Sequence, residues 1–300
     1  TKQKIMNEQN KDLFGNIIIK DELLRDKFIE PPFSILDTKS GNWQRRKNQW
    51  KKLGIKSEIG RDNKKVNSIR IIGGNPSKKN QIKDTSTNPY QSIFDPALCE
   101  VLYHWFCSGG GEILDPFAGG SVRGIVANYL GFKYTGIDIR QEQIDSNREQ
   151  ALNILEVNNQ PNYYVGDAKE VLNDFNKEFD FVFSCPPYAD LEVYSDLEGD
   201  ISNMNYNKFM IAYENIINKS CSLLKNGGYA CFVVGEVRDK KGNYIGFVPD
   251  TINAFKKCGM SYYNEGILLN AIASASMRAN GNMKTQKLVK VHQNILIFKK

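Results

Sequence analysis

The sequence predicts an α/β fold: a mostly parallel seven-stranded sheet with an antiparallel edge strand, helices on both faces, and a basic N-terminal extension. Three observations carry this. From residue 91 onward, short apolar runs of strand length alternate with stretches whose apolar residues recur at helical spacing. Strands separated by helices of that length need crossovers, which are right-handed and set parallel strands side by side with both faces covered. The last two strands follow one another around a polar loop with no helix between them, which predicts an antiparallel pair at the edge.

Taken in order, residues 91–107 carry Ile93, Leu98, Leu102, Trp105 and Phe106 at helical spacing, and Ser108 with three glycines stops that helix. The buried strand Glu112 to Asp115 follows, then a helix over about 121–131 that ends at Gly131. Strand Tyr134 to Asp138, helix 140–157, strand Tyr163 to Val165 and a short helix 168–175 lead to strand Phe179 to Ser184. Helix 206–225 stops at Asn226-Gly227-Gly228, ahead of strand Tyr229 to Gly235 and a helix over 249–258 closed by Gly259. The final strands lie near 262–269 and 290–298.

Residues 61–90 are rich in Lys, Asn, Ser and Gly and read as linker, which sets a domain boundary near residue 90. The charge is divided at the same point. Residues 1–90 hold 20 Lys plus Arg against 10 Asp plus Glu, leaving 20 against 24 in residues 91–300, so the net +6 is an N-terminal excess. Such a field suits phosphates, whose neutralisation releases condensed counterions, and it equally suits a solvated surface. No apolar run reaches the 18 or so residues of a membrane span, and the polar start lacks a secretory core, so a soluble cytoplasmic protein without membrane contact is expected. Six cysteines without a CxxC pair and only two histidines speak against a zinc site or a disulfide frame, and no metal is expected.

Two motifs carry chemistry. In Asp115-Pro116-Phe117-Ala118-Gly119-Gly120-Ser121 a strand ends in an acid and turns through two glycines into a helix, at the strand end where open α/β sheets bind ligands. Asp138, followed by Ile139, ends the next strand about 20 residues on, where a carboxylate accepts from ribose hydroxyls; Asp167, followed by Ala168, ends the third. Three acids at successive strand ends suit a nucleoside bearing a cation and fit a pyrophosphate poorly. The alternative reading makes Asp138 and Asp167 helix N-caps. The second motif is Ser184-Cys185-Pro186-Pro187-Tyr188, directly after a buried strand. Its prolines fix a rigid loop without backbone donors, leaving carbonyls to accept from a ligand and an aromatic ring to stack on a flat base.

Together these residues resemble the class I, S-adenosylmethionine-dependent DNA methyltransferases that modify the amino group of adenine (N6) or cytosine (N4). The family's hallmarks are a DPFxGxG-like cofactor loop, here DPFAGGS, and a [D/N/S]-P-P-[Y/F] catalytic loop, here SCPPY. The segment Ser92-Ile93-Phe94-Asp95-Pro96 looks like its additional cofactor-contacting motif, and the resemblance spans roughly residues 90–300. The stretch Pro31 to Lys47 is similar to N-terminal segments of phage and prophage methylases. The resemblance implies a class I (Rossmann-like) methyltransferase fold, S-adenosyl-L-methionine as cofactor, and duplex DNA as partner with the target base flipped out of the stack. It places the cofactor at Phe94 to Pro96, Asp115 to Ser121, Asp138, Ile139, Asp167 and Ala168, and catalysis at Ser184 to Tyr188.

Two departures from the family pattern matter. Ser121 replaces a glycine, and Cys185, a weak hydrogen-bond acceptor, stands directly before the prolines where a stronger acceptor is expected. Either Ser184 or the Pro186 carbonyl then takes the acceptor role, or Cys185 adds to a pyrimidine ring to direct the methyl to C5. An RNA methyltransferase and a non-catalytic nucleic-acid-binding module remain the other readings. Trp43 and Trp50, seven apart among Arg45, Arg46, Lys47, Lys51 and Lys52, read as packing anchors with the cations turned to phosphates. The acidic loop Ala189 to Asn205 reads as a lid, and the basic loop Ala273 to Lys290 as a base-recognition element or a hairpin tip.

Overall fold

The computed structural model describes residues 27–55, 94–107, 109–188, 195, 197, 199–239, 241–270 and 275–300. The chain divides into a unit ending at Pro32, of which residues 27–32 are described, and a unit from Phe33 to Lys300 that holds the sheet. The second unit runs β1 (Ile35–Asp37), α1 (Gly41–Lys52), α2 (Pro96–Phe106), β2 (Glu112–Asp115), α3 (Val122–Tyr129), β3 (Lys133–Asp138), α4 (Gln141–Ile154), β4 (Asn162–Val165) and α5 (Ala168–Val171). It continues with β5 (Phe179–Ser184), α6 (Tyr206–Ser222), β6 (Leu224–Val234), α7 (Phe247–Lys257), β7 (Ser261–Leu269), α8 (Ala275–Met283) and β8 (His292–Lys299).

The strands form one eight-stranded sheet in the order β1-β7-β8-β6-β5-β2-β3-β4. Strands β2 to β6 pair in parallel, and β8 runs antiparallel between β6 and β7. The expected α/β architecture, mostly parallel with an antiparallel pair toward one edge, is therefore present, with three corrections. An eighth strand, β1, lies ahead of the expected boundary at residue 90 and pairs in parallel with β7, so residues 33–55 belong to the sheet-bearing unit. The antiparallel pair β7-β8 lies toward that edge, with β1 beyond β7. The second correction concerns the segment between β7 and β8: it carries helix α8, with residues 271–274 outside the described set.

The third concerns Asn226-Gly227-Gly228, which does not stop a helix. The α6 helix ends at Ser222, and β6 already begins at Leu224 with a register shift against β5 between Phe179 and Phe181. Gly227 takes φ +77° and donates its N–H to the Lys300 carbonyl at 3.1 Å, a left-handed conformation that glycine adopts without a Cβ penalty. The linker 61–90 lies outside the described residues.

Aromatic side chains fill both faces of the sheet. Tyr103 of α2 meets Phe181 and Phe183 edge-on at 6.3 and 5.4 Å, while Phe255 of α7 stacks on Phe298 at 4.0 Å and meets Phe232 at 4.9 Å. Each such ring, removed from water, contributes roughly 2 kcal/mol to folding. The α1 helix starts on Ser40, whose Oγ accepts from the Trp43 N–H at 3.2 Å, and buries Trp43 and Trp50. Their indole N–H groups donate to Asp95 (3.1 Å) and Glu100 (2.8 Å). The tryptophans thus anchor α1 to α2 as expected. Two of the cations do not face outward: Arg46 pairs with Glu100 at 2.7 Å and Lys47 with Asp95 at 2.9 Å, which leaves Arg45, Lys51 and Lys52 on the exposed side of α1.

One glycine in the sheet is fixed by space. A Cβ on Gly136 would stand 2.6 Å from Tyr134 Cε1 and 2.9 Å from the Ala118 Cβ. Tyr134 lies over the same face of β3, two residues back, and reaches across to Asp115. Gly136→Ala is therefore expected to destabilise the protein by about 1–3 kcal/mol through overpacking, measured as a drop in the urea midpoint at unchanged m.

Candidate functional site

The carboxyl ends of β2, β3, β4 and β5 converge on a cavity of about 400 Å³, of the size that encloses small ligands. Its chemistry begins at β2. Asp115 is fully buried, and four donors saturate its carboxylate: Arg123 Nε (2.5 Å) and Tyr134 Oη (2.7 Å) to Oδ2, Ser184 Oγ (2.5 Å) and the Phe117 N–H (3.1 Å) to Oδ1. Arg123 also donates Nη2 to the Phe117 and Ala118 carbonyls at 2.6 and 2.8 Å. Burial acts to lower the Arg123 pKa, but the adjoining Asp115 charge outweighs it and holds the guanidinium above its ordinary value. Desolvation pushes the Tyr134 phenol far up, so it stays a neutral donor.

This ion pair fixes the glycine loop. The Ala118 N–H reaches the Ile137 carbonyl at 2.8 Å, and Gly119, at φ +50°, donates to Asp138 Oδ2 at 3.0 Å while its own carbonyl accepts from Asn147 at 2.7 Å. Asp138 also accepts from the Arg140 N–H at 2.9 Å. Burial raises its carboxyl from the usual range to about 6, against the lowering effect of the Arg140 and Gly119 bonds and Arg140's charge. At the end of β4, Asp167 caps α5 by accepting from the Lys169 N–H at 2.9 Å and pairs with Lys169 Nζ at 3.0 Å, and it still lines the cavity. For Asp167, capping and facing the cavity are thus compatible; Asp138 caps no helix, since the N-cap of α4 is Arg140.

Of the residues expected to hold a cofactor, Phe94, Asp95, Pro116, Phe117, Gly119, Gly120, Asp138, Ile139, Asp167 and Ala168 line the cavity. Pro96, Asp115, Ala118 and Ser121 are buried behind its wall. Pro96 opens α2 after the N-cap Asp95, and Ser121 Oγ donates to Gln150 Oε1 at 2.9 Å. Of the three acids at successive strand ends, Asp138 and Asp167 face the cavity, and the protein itself consumes the carboxylate of Asp115.

In the motif expected to be catalytic, Cys185, Pro186, Pro187 and Tyr188 line the same cavity. Ser184 does not: it is fully buried with its hydroxyl donated to Asp115. The role of substitute acceptor written for Ser184 therefore falls away, leaving backbone carbonyls of the loop and the Cys185 thiol. Tyr188 packs edge-on against Phe247 at 5.7 Å, and its oxygen accepts from Gln293 Nε2 at 3.3 Å. Phe94 stands edge-on to Phe183 at 5.7 Å and carries the Arg123 guanidinium over its ring at 4.7 Å.

No family model matches the chain, and no curated protein matches it. Among solved structures the chain is similar to TrmN from Thermus thermophilus, with 15% identity over 69% of this chain and 49% of that one, at a TM-score of 0.46. It is also similar to the ribosomal protein L11 methylase from Lactobacillus delbrueckii subsp. bulgaricus (13% identity, 68% of this chain, 78% of that one, TM-score 0.44). A third is a SAM-dependent methyltransferase from Methanosarcina mazei (15% identity, 66% and 96%, TM-score 0.44). The chain spans about half the length of the Thermus protein. The fold is Rossmann-like, with parallel strands β4-β3-β2-β5-β6 continued by the antiparallel β8.

Several lining residues carry no sequence signal of their own. Thr38, Gln44 and Lys47 come from the first 55 residues, Gly199, Asp200 and Ile201 from beyond the catalytic motif, and Leu268, Asn270 and Gln293 from β7 and β8. They are distant in sequence: Leu268, Asn270 and Gln293 reach the site because the sheet order sets β8 beside β6 and β7 beyond it, and β1, paired with β7, brings the segment of Thr38, Gln44 and Lys47 to the same side. Asp200 accepts from Ser195 Oγ at 2.6 Å and the Ser202 N–H at 2.9 Å, and its charge adds to the rise at Asp138. The remainder of the expected lid, residues 189–194, 196 and 198, lies outside the described set. Glu236, beyond β6, accepts from the Gly246 and Phe247 N–H groups, both at 3.0 Å, and so serves the start of α7. Among the described residues, no helix is long and apolar enough to cross a membrane, and no group of three or more His, Cys, Asp or Glu is arranged to hold a metal.

Proposed function

We propose that this chain is an S-adenosylmethionine-dependent methyltransferase acting on the exocyclic amine of a nucleic-acid base, with DNA as the favoured substrate. The single observation that carries the reading is that one cavity is lined both by Asp138 and Asp167 and by Cys185 to Tyr188. The cavity fits the cofactor on its own chemistry. Two acids at the ends of β3 and β4 match the hydroxyls and amine of an adenosine, the glycine pair at 119–120 permits close backbone approach, and Phe94 supplies an apolar wall. When bound, the cofactor supplies an electrophilic methyl group on a sulfonium.

The chain's own residues would then position the acceptor. A base amine is a weak nucleophile because its lone pair is delocalised into the ring. Carbonyls of the Cys185-Pro186-Pro187 loop, free of competing proline N–H groups, would accept hydrogen bonds from its N–H groups and localise that pair, and the methylated, cationic nitrogen would then release a proton to solvent. The Tyr188 ring, held by Phe247 and Gln293, would hold the base plane. The exposed Arg45, Lys51 and Lys52 of α1 and the N-terminal charge excess would bind phosphates without reading sequence.

The test is transfer of labelled methyl from S-adenosylmethionine to duplex DNA and to RNA, followed by digestion and mass spectrometry of the nucleosides. N6-methyladenine or N4-methylcytosine from DNA is expected. Methylated nucleosides from RNA alone would move the assignment to an RNA methyltransferase, and 5-methylcytosine would assign Cys185 as a nucleophile. Tyr188→Ala is expected to lower kcat about 100-fold by releasing the base plane, with cofactor affinity kept.

A further inference from the structure

We infer that Lys47, carried on the N-terminal helix α1, forms part of the cofactor site and receives the carboxylate of the amino-acid moiety. The inference rests on the cofactor reading above and extends it to a segment whose charges otherwise read as phosphate-binding. S-adenosylmethionine is a nucleoside joined through sulfur to a free α-amino acid, so a complete site needs an anion-binding group at the end opposite the adenosine. Two of the cavity-lining acids, Asp138 and Asp167, sit at the ends of β3 and β4 and so mark the adenosine end. The catalytic loop follows β5 on the other side of β2, and Phe94 packs against Phe183 of β5, which puts Phe94 and Asp95 at the far end of the cavity.

Among the described residues, the cations lining the cavity are Lys47, Arg123 and Arg140. Arg123 is committed to Asp115 and to two backbone carbonyls, with a side chain 5% exposed. Arg140 stands at the adenosine end, with Nη2 on Gln143 Oε1 at 2.6 Å and Nε 3.9 Å from Asp138 Oδ1. Lys47 is at the required end. Its ammonium meets Asp95 Oδ2 at 2.9 Å, and its side chain keeps 22% of its exposure against 8% for Asp95.

An ammonium has three donors, so one bond to Asp95 is compatible with a second to a ligand carboxylate. The neighbouring groups prepare this. Asp95 Oδ1 accepts from the Ala97 N–H at 3.0 Å and Oδ2 from Trp43 Nε1 at 3.1 Å, which fixes the carboxylate that in turn fixes Lys47. Lys47 and Asp95 side by side present a positive and a negative group to a zwitterion: the ammonium for its carboxylate, the carboxylate for its ammonium. Thr38 and Gln44 line the same end, and the Gln44 amide donates to the Thr38 carbonyl at 2.5 Å, which ties the start of α1 to the end of β1.

The test compares two ligands on the full chain by titration calorimetry. S-adenosylhomocysteine carries the amino acid, whereas 5′-methylthioadenosine carries the nucleoside and thioether without it. For Lys47→Met, affinity for S-adenosylhomocysteine is expected to fall about 10- to 100-fold, while affinity for 5′-methylthioadenosine stays within about twofold. Lys47→Arg, which keeps the charge, is expected to restore most of the loss. Parallel weakening of both ligands in Lys47→Met, or no change in either, would overturn the inference. Failure of the wild-type chain to bind either ligand would instead overturn the cofactor reading on which it rests.

Discussion

Replacing Asp115 by Asn is expected to destabilise the protein by about 3–5 kcal/mol, the largest effect of any single substitution at the site, although Asp115 never faces the cavity. The reason is the charge it leaves behind. Arg123 is buried with a 2.5 Å contact to Asp115 Oδ2, and a buried guanidinium stripped of its partner keeps its desolvation cost while losing the attraction that offsets it. Tyr134 and Ser184 also donate to Asp115 and would compete for the one acceptor oxygen of an amide. The measurement is the urea midpoint at pH 8 for Asp115→Asn, Arg123→Met and the double variant. Removing both partners should cost less than the sum of the single changes, because no charge is then left unpaired. Strict additivity would mean that the ion pair does not organise the site. A structural hub at this position also explains how the proposed catalytic loop is set: Ser184, at the end of β5, is fastened to the end of β2 through that carboxylate.

The same residue shows where the sequence was legible and where it was not. Alternation of apolar runs located β2 to β5, and the strand Phe179 to Ser184 was placed to the residue, because periodicity and glycine stops are local signals. The positions of Asp138 and Asp167 followed from strand ends alone. Which way a carboxylate turns is a tertiary fact. Asp115 also ends a strand, and Arg123 in the first turn of α3, Tyr134 on β3 and Ser184 on β5 decide that it points inward. The strand β1 was missed because three residues, Ile35 to Asp37, are too short to show a period, and its partner β7 lies more than 230 residues away. Likewise Lys47 reads as one basic residue among several; its burial beside Asp95 depends on Trp43 and Trp50 docking α1 onto α2.

Asp138→Asn is expected to weaken binding of S-adenosylmethionine about 10- to 100-fold at pH 8, with little change in stability. A carboxylate that accepts two ribose hydroxyls makes charge-assisted bonds of roughly 1.5–3 kcal/mol each, part of which a neutral amide retains. Stability should move little because two effects oppose. Burial holds the folded-state pKa at about 6, above the ordinary 3.8, so the ionised side chain is disfavoured in the folded protein at neutral pH, and an amide avoids that cost. An amide has one acceptor oxygen, however, and cannot serve both the Gly119 and Arg140 N–H groups. The sign of the pH effect follows from the raised value. Between about 3.8 and 6 the folded protein holds a proton that the unfolded chain has released, so stability falls as pH rises through this window and levels off above it. Ligand binding runs the other way: the carboxylate needed for the hydroxyls is lost as pH drops through about 6. Wild-type affinity should therefore decline below about pH 6 toward that of Asp138→Asn, whose own affinity should be flat over the same range. Titration calorimetry from pH 5 to 8 on both proteins reads this directly. Parallel pH profiles would show that a group other than Asp138 controls the site.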